Sequence, residues 1–286
     1  MGAYIIKIIM VSVMFLMLGA GLNIEFRQVI EIFKRLRIVV LGVLANFLIV
    51  PLLIYLCIAW LPLSADIKIG IMLMAAAPIA PMAPTPFVEK ARGDMVYSVG
   101  LMVIVAILSI VLTPLILSIS IPKSVGGVAI DPIQIVKTLL MVQLIPICLG
   151  MVVRHISPTW AQKLIKFIPR IGQIGLIIGV GLLFVKQGSQ MLTMGFLAYL
   201  IMMFFTIVSL LVGDWILVGE SGEKRRALAV STAIRNIPLA FLIAGENFPD
   251  TVVAPVTLVF SAFTMVFSVV YGKLKERQVS SKEGTT

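Results

Sequence analysis

The chain has 286 residues, of which 60% are hydrophobic and 13% charged, with a mean hydropathy of +1.13. One soluble globule cannot bury that much apolar surface, so the bilayer is its solvent. The formal net charge of +10 is spread over short Lys/Arg clusters between apolar runs. No single basic face forms, which argues against nucleic acid and makes the charge a marker of membrane topology.

A helix crossing ~30 Å of hydrocarbon needs about 20 apolar residues. Nine segments are predicted to cross: 4–22, 38–60, 67–88, 95–121, 132–153, 168–185, 194–218, 226–247 and 252–271. The first carries Lys7 but no cleavage-site pattern, so it reads as a retained span and not a signal peptide. The loops alternate in charge. Arg27, Lys34, Arg35 and Arg37 precede an uncharged 61–65, Lys90 and Arg92 precede Lys123 alone, and Arg154, Lys163, Lys166 and Arg170 precede Lys186 alone. Lys224, Arg225 and Arg226 are followed by a turn at Pro249 and Asp250, and Lys273, Lys275 and Arg277 close the chain. The positive-inside rule then puts the N-terminus outside and the C-terminus in the cytoplasm, in a plasma or inner membrane.

In the first basic loop Phe26, Val29, Ile30, Phe33 and Leu36 recur at helical spacing, predicting a short helix on the membrane surface. Trp60, Trp160 and Trp215 fall near span ends as interfacial anchors. Cys57 and Cys148 lack metal or redox spacing and read as small packing residues, and the sixteen Met residues show no stripe.

Two predicted spans are interrupted. The third contains Pro78, Pro81, Pro84 and Pro86, four prolines in nine residues, each lacking a backbone donor and obstructing the preceding turn. Non-helical backbone at membrane depth survives only inside protein or beside a cavity. The eighth span carries Ser231, Thr232, Arg235 and Asn236 just before Pro238. An unpaired Arg near the midplane costs at least ~2.5–3.5 kcal/mol, so Arg235 needs a partner, a ligand or water. Pro86 and Pro238 stand 152 residues apart, and a last span follows each break. The chain therefore divides into a first repeat of four spans (1–121), a second of five (122–272) in inverted orientation, and a cytoplasmic tail (273–286). Paired breaks in inverted repeats point to a transporter whose substrate site lies where the breaks meet.

At these residues the chain resembles the bile acid:sodium symporter family, within the superfamily that includes arsenite exporters and auxin-efflux carriers. The resemblance rests on Gly42-Val43-Leu44-Ala45-Asn46-Phe47-Leu48-Ile49-Val50-Pro51, on the Pro-rich break ending in Arg92-Gly93-Asp94 with Ser98 following, and on Ile234-Arg235-Asn236-Ile237-Pro238-Leu239-Ala240. It implies an all-α membrane fold of nine helices, with a panel domain and a core domain in which two broken helices cross. It also implies sodium ligands from a Ser-Asn pair, Ser and Thr on the next span, a Glu, and two Gln residues. Here those positions hold Pro84-Thr85, Ser98, Met102, Ser231, Arg235 and Asn46. Asn46, Ser98 and Ser231 would be the remnant of a sodium site.

Exchanging an acid for Ser and adding a guanidinium shifts the local charge by about two units toward positive, which repels a cation. Arg235 is thus expected to stand in for bound sodium, holding the crossing together or meeting an anionic substrate, with sodium coupling weak or absent. Conventional sodium-coupled symport remains the alternative, and a channel or receptor is a third reading.

Gln143, about eleven residues into the fifth span, is expected either to line the cavity or to bond another helix. Asp214 is a proton-relay candidate, yet shallow enough to pair with Lys224 or Arg225 instead. Glu89 and Glu246, at half-helix ends, are expected to be solvated. A single histidine, His155, and the lack of nucleophile-base groupings or a phosphate loop argue against an enzyme. No cofactor is implied. A buried Arg and the positive ends of half-helices favour a small organic anion, a carboxylate or sulfonate, as substrate, and the resemblance implies a bile-acid-like one.

Overall fold

A computed structural model describes residues 3–25, 27, 30–31, 34–80, 84–121, 131–249 and 251–283, and the elements formed by them are all helical. In chain order they are α1 (Ala3–Asn23), α2 (Leu36–Ala59), α3 (Ala65–Ala76), α4 (Pro84–Lys90), α5 (Met95–Ser120), α6 (Pro132–Ile156) and α7 (Pro158–Leu164). There follow α8 (Ile168–Leu192), α9 (Phe196–Trp215), α10 (Gly222–Ala233), α11 (Ile237–Asn247) and α12 (Val253–Glu283). Among the described residues seven stretches are long and apolar enough to cross a membrane: α1, α2, α5, α6, α7 with α8, α9 and α12. The third and eighth predicted spans are each two half-helices, α3 with α4 and α10 with α11. The chain is a multi-pass membrane protein.

Local sequence sets several of the starts. Asp94 caps α5 by accepting from the Tyr97 amide at 2.9 Å, and Asp131 caps α6 by accepting from Ile133 N at 2.9 Å, ahead of Pro132 at the first helical position. Two prolines inside long helices have a local effect. Pro51 and Pro146 cannot donate, and the turns just before them widen to π-helix at Ala45–Ile49 and Leu140–Leu144, with Val50 N reaching back to Ala45 O and Ile145 N to Leu140 O. Asn46 lies in the first of these turns and Gln143 in the second.

Small residues bring backbones together. At the α1–α6 crossing a Cβ on Gly21 would strike the Ile147 carbonyl and stand 3.0 Å from Gly150 Cα. At the α9–α10 crossing a Cβ on Gly213 would lie 2.5 Å from Ala229 Cα. In lipid, such close approach supplies the dispersion contacts that hold helices together. Helix α1 packs along α6 and α8, α10 packs against α9, and α3 packs against α12.

Several expectations need correction. The basic stretch after α6 is not a loop, because Pro158 starts α7, where Lys163 lies over the Trp160 ring. The sequence offers no reading of the tail's secondary structure, and α12 runs unbroken into it as far as Glu283, with Ser280 Oγ accepting from Arg92 Nη2 at 3.2 Å. Pro86 and Pro238 do not sit in the gaps. They occupy the first turns of α4 and α11, where a missing N–H is harmless. Pro78 does lie in the first break, whereas Pro81 is outside the described residues. Of the expected surface helix, Phe26, Val29 and Phe33 are also outside them, and Leu36 instead begins α2. Cys148 is exposed on the bundle surface and Cys57 is half-buried.

Candidate substrate site at the crossed helix breaks

Helix α3 ends at Ala76 because Pro78 withholds a donor, and α10 ends at Ala233 as Ile234 turns extended. The two extended segments pair antiparallel, Ile79 opposite Arg235. Ala80 N donates to Ile234 O at 3.1 Å and Asn236 N to Pro78 O at 2.7 Å. Freed carbonyls find partners from several elements: Thr113 Oγ1 donates to Ala76 O at 2.7 Å, and Arg235 Nη1 to Ala77 O at 3.2 Å. These bonds pair backbone groups that lipid could not satisfy.

Arg235 is the largest of the fully buried side chains, with 0% exposure. Its Nη1 also donates to Asn46 O at 3.1 Å, tying the π turn of α2 to both breaks. Nε and Nη2, the edge of the guanidinium that grips carboxylates side-on, have no acceptor, and neither does Asn46 Oδ1 a donor, among the described residues. Asn46 Nδ2 donates to Gly42 O at 2.8 Å and to Thr232 Oγ1 at 3.4 Å. Ser98 Oγ and Ser231 Oγ bond each other at 2.8 Å, joining α5 to α10. Asn46, Ser98, Ser231, Thr232 and Arg235 are therefore gathered in one buried region.

A second cluster links the crossing to α6. Gln143 Nε2 donates to Ala106 O at 2.7 Å and to Ser109 Oγ at 2.8 Å, while its Oε1 accepts from Asn236 Nδ2 at 3.3 Å. Asn236 Oδ1 in turn caps α11 at Leu239 N, 3.2 Å. Of the two roles open to Gln143, bonding between helices is the one the structure displays. Thr85 and Pro84 begin α4, but the surroundings of their side chains lie outside the described residues.

The outlying acids divide. Asp214 pairs with Arg225 at 3.4 Å and with Lys275 at 3.2 Å, while Lys224 pairs with Glu220 at 2.8 Å. Glu89 is exposed as expected, but Glu246 is half-buried and accepts from Thr138 Oγ1 at 2.9 Å, contrary to its expected solvation. Among the described residues no three His, Cys, Asp or Glu side chains group as a metal site. Thr113, Ser109 and Thr138 were missed from sequence. Thr113 stands immediately before Pro114 within a span, a polar-proline pair of the kind that marked the second break.

Long apolar helices enclosing two crossed, interrupted ones, with a buried cation at the crossing, define a membrane transporter of the broken-helix class. Residues 10–194 match the profile described as the Sodium Bile acid symporter family, and the chain belongs to that family. It is 24% identical over 278 residues to the uncharacterized sodium-dependent transporter YocS of Bacillus subtilis (strain 168), covering 93% of this chain and 84% of the relative. It is 27% identical over 305 residues to the human ileal sodium/bile acid cotransporter, covering 99% and 84%. Similarity to the probable sodium/metabolite cotransporter BASS2, chloroplastic, of Oryza sativa subsp. japonica is 26% over 253 residues, covering 84% of this chain but 57% of that protein.

Proposed function

We propose that the protein is a secondary transporter of a small organic anion, with Arg235 as a built-in cation in place of coupled sodium. The observation that carries this reading is the fully buried guanidinium at the crossing, donating to two main-chain carbonyls, Asn46 O and Ala77 O. Carbonyl oxygens at a broken helix are what a sodium ion would use. With them engaged by an Arg, and Ser98 and Ser231 bonded to each other, a second cation would meet like charge in a low-dielectric setting. The free Nε and Nη2 edge supports an anionic substrate, since a carboxylate or sulfonate would satisfy both donors at once.

In this reading α2 to α5 and α9 to α12 form a core domain containing both breaks, and α1, α6 and α8 form a panel against which the core rocks. The division 1–121 and 122–272 into inverted repeats accounts for the antiparallel pairing of Ile79 with Arg235. The basic side, where α2 begins and α12 ends, faces the cytoplasm of a plasma or inner membrane. Uptake of a labelled organic acid into proteoliposomes, in sodium against choline medium, tests the coupling. Equal rates are expected, and strong dependence on sodium with purified protein would sink the proposal in favour of conventional symport, the reading suggested by the relatives' names.

A further inference from the structure

At its basic end the molecule has a second concave site, remote from the crossing. A cavity of about 360 Å³ is lined by Lys34, Arg35 and Arg37 at the start of α2 and by Glu220 and Lys224 at the start of α10. Glu220 is bonded by Lys224 at 2.8 Å. That bond, with the charges of Arg37 and Arg35, holds the Glu220 carboxyl below its usual range. Among the described residues no carboxylate lies within salt-bridge distance of Lys34, Arg35 or Arg37. Four cations against one carboxylate leave a net charge of +3 in the cavity.

Apolar residues adjoin these charges. Leu36 and Ile38 line the same cavity, and the next residue of α2 opens a groove of about 270 Å³ between α2 and α5. Its walls, Val39, Val40, Val43 and Leu44 facing Ile104 and Ile107, carry no polar surface. Leu36 begins an apolar span, so the cavity lies at the depth of lipid headgroups and the groove at the depth of acyl chains.

We propose that this site binds an anionic phospholipid, its phosphate held by Arg35, Arg37 and Lys34 and one acyl chain laid along the α2–α5 groove. Charge selects the headgroup: a monoanionic phosphodiester with a neutral glycerol lowers the net charge of the cavity from +3 to +2, whereas the choline of a zwitterionic lipid brings it back to +3. The groove selects lipid over free phosphate. Because α2 also carries Asn46, an occupant here would brace the helix that supplies a carbonyl to Arg235.

The test is native mass spectrometry and thermal unfolding of the full-length protein in neutral detergent, titrated separately with phosphatidylglycerol, phosphatidylcholine and glycerol 3-phosphate. Phosphatidylglycerol is expected to remain bound and to raise the melting temperature, with the other two much weaker. Arg35→Gln and Arg37→Gln should each weaken its binding ~5-fold. Ile107→Trp, which fills the groove from the lipid side, should weaken binding of phosphatidylglycerol and leave the weak binding of glycerol 3-phosphate, which has no acyl chain, unchanged. Equal retention of the two lipids, or wild-type binding by the Arg35→Gln/Arg37→Gln double variant, overturns the proposal. So does glycerol 3-phosphate matching phosphatidylglycerol, because the site would then hold a soluble anion. The lipid outcomes depend neither on sodium coupling nor on the transported substrate, and the glycerol 3-phosphate arm is read in the Arg235→Gln background so that an anion bound at the crossing does not enter it.

Discussion

Arg235 concentrates the physical problem at the residue scale. A guanidinium with no exposure has given up its water, and one of its nitrogens recovers two carbonyls while the other two have no acceptor among the described residues. Buried donors left unmatched cost about 1–3 kcal/mol each, and more when charged, so an anion bound there gains more than it would at the surface. Arg235→Lys keeps the charge but loses the planar fork. It should lower anion affinity roughly tenfold, whereas Arg235→Gln should abolish anion-dependent thermal stabilisation. Retention of full stabilisation by the Gln variant would remove Arg235 from the substrate site. Gln143 makes a different prediction, because it is fully buried and bonds Ala106, Ser109 and Asn236. Gln143→Ala should cost about 1–3 kcal/mol, seen as a lower melting temperature with or without substrate. A change confined to substrate affinity would instead make Gln143 a binding residue.

Elements are held by two devices, proline-widened turns and glycine contacts. The π turns before Pro51 and Pro146 direct Asn46 and Gln143 toward the crossing, and no side-chain propensity would have placed them there. Between α1 and α6 the obstacle to a larger residue is backbone, which cannot step aside. Gly150→Leu should therefore push the helices apart and destabilise the protein by ~1–3 kcal/mol or more, read as loss of monodisperse protein in detergent at moderate temperature. Adding Gly21→Leu should cost less than its own single effect, since both glycines serve one contact. Additive losses would place the two glycines in separate contacts.

For the molecule as a whole, the proposed alternating access has the crossing move relative to α1, α6 and α8. Thr138 on α6 and Glu246 on α11 touch across that boundary at 2.9 Å. With Cys57 and Cys148 replaced, cysteines at 138 and 246 joined by a short bifunctional thiol reagent should stop uptake, and a cleavable reagent followed by reductant should restore it. Undiminished uptake by the cross-linked protein would place the moving boundary elsewhere.

Much of this was legible in the residues. Apolar runs gave the spans because lipid leaves a helix no other way to pair its backbone, and clustered prolines gave the breaks because each removes a donor. Pro78 and Arg235 accordingly fall in the gaps, but Pro86 and Pro238 do not, since sequence does not say on which side of a proline the helix resumes. Three stretches carried the family resemblance, Gly42 to Pro51, the Pro-rich break through Asp94 and Ser98, and Ile234 to Ala240, and the matched profile over residues 10–194 spans the first two. Hydrogen bonds between distant segments were another matter. Periodicity describes one helix at a time, so neither the 37 residues between Gln143 and Ala106 nor the 189 between Arg235 and Asn46 left a trace in it. By itself the sequence determined a broken-helix membrane protein with an Arg where it is costly. Only the tertiary structure decided which carbonyls that Arg meets and which of its edges remains free, because packing the two breaks together fixes those partners.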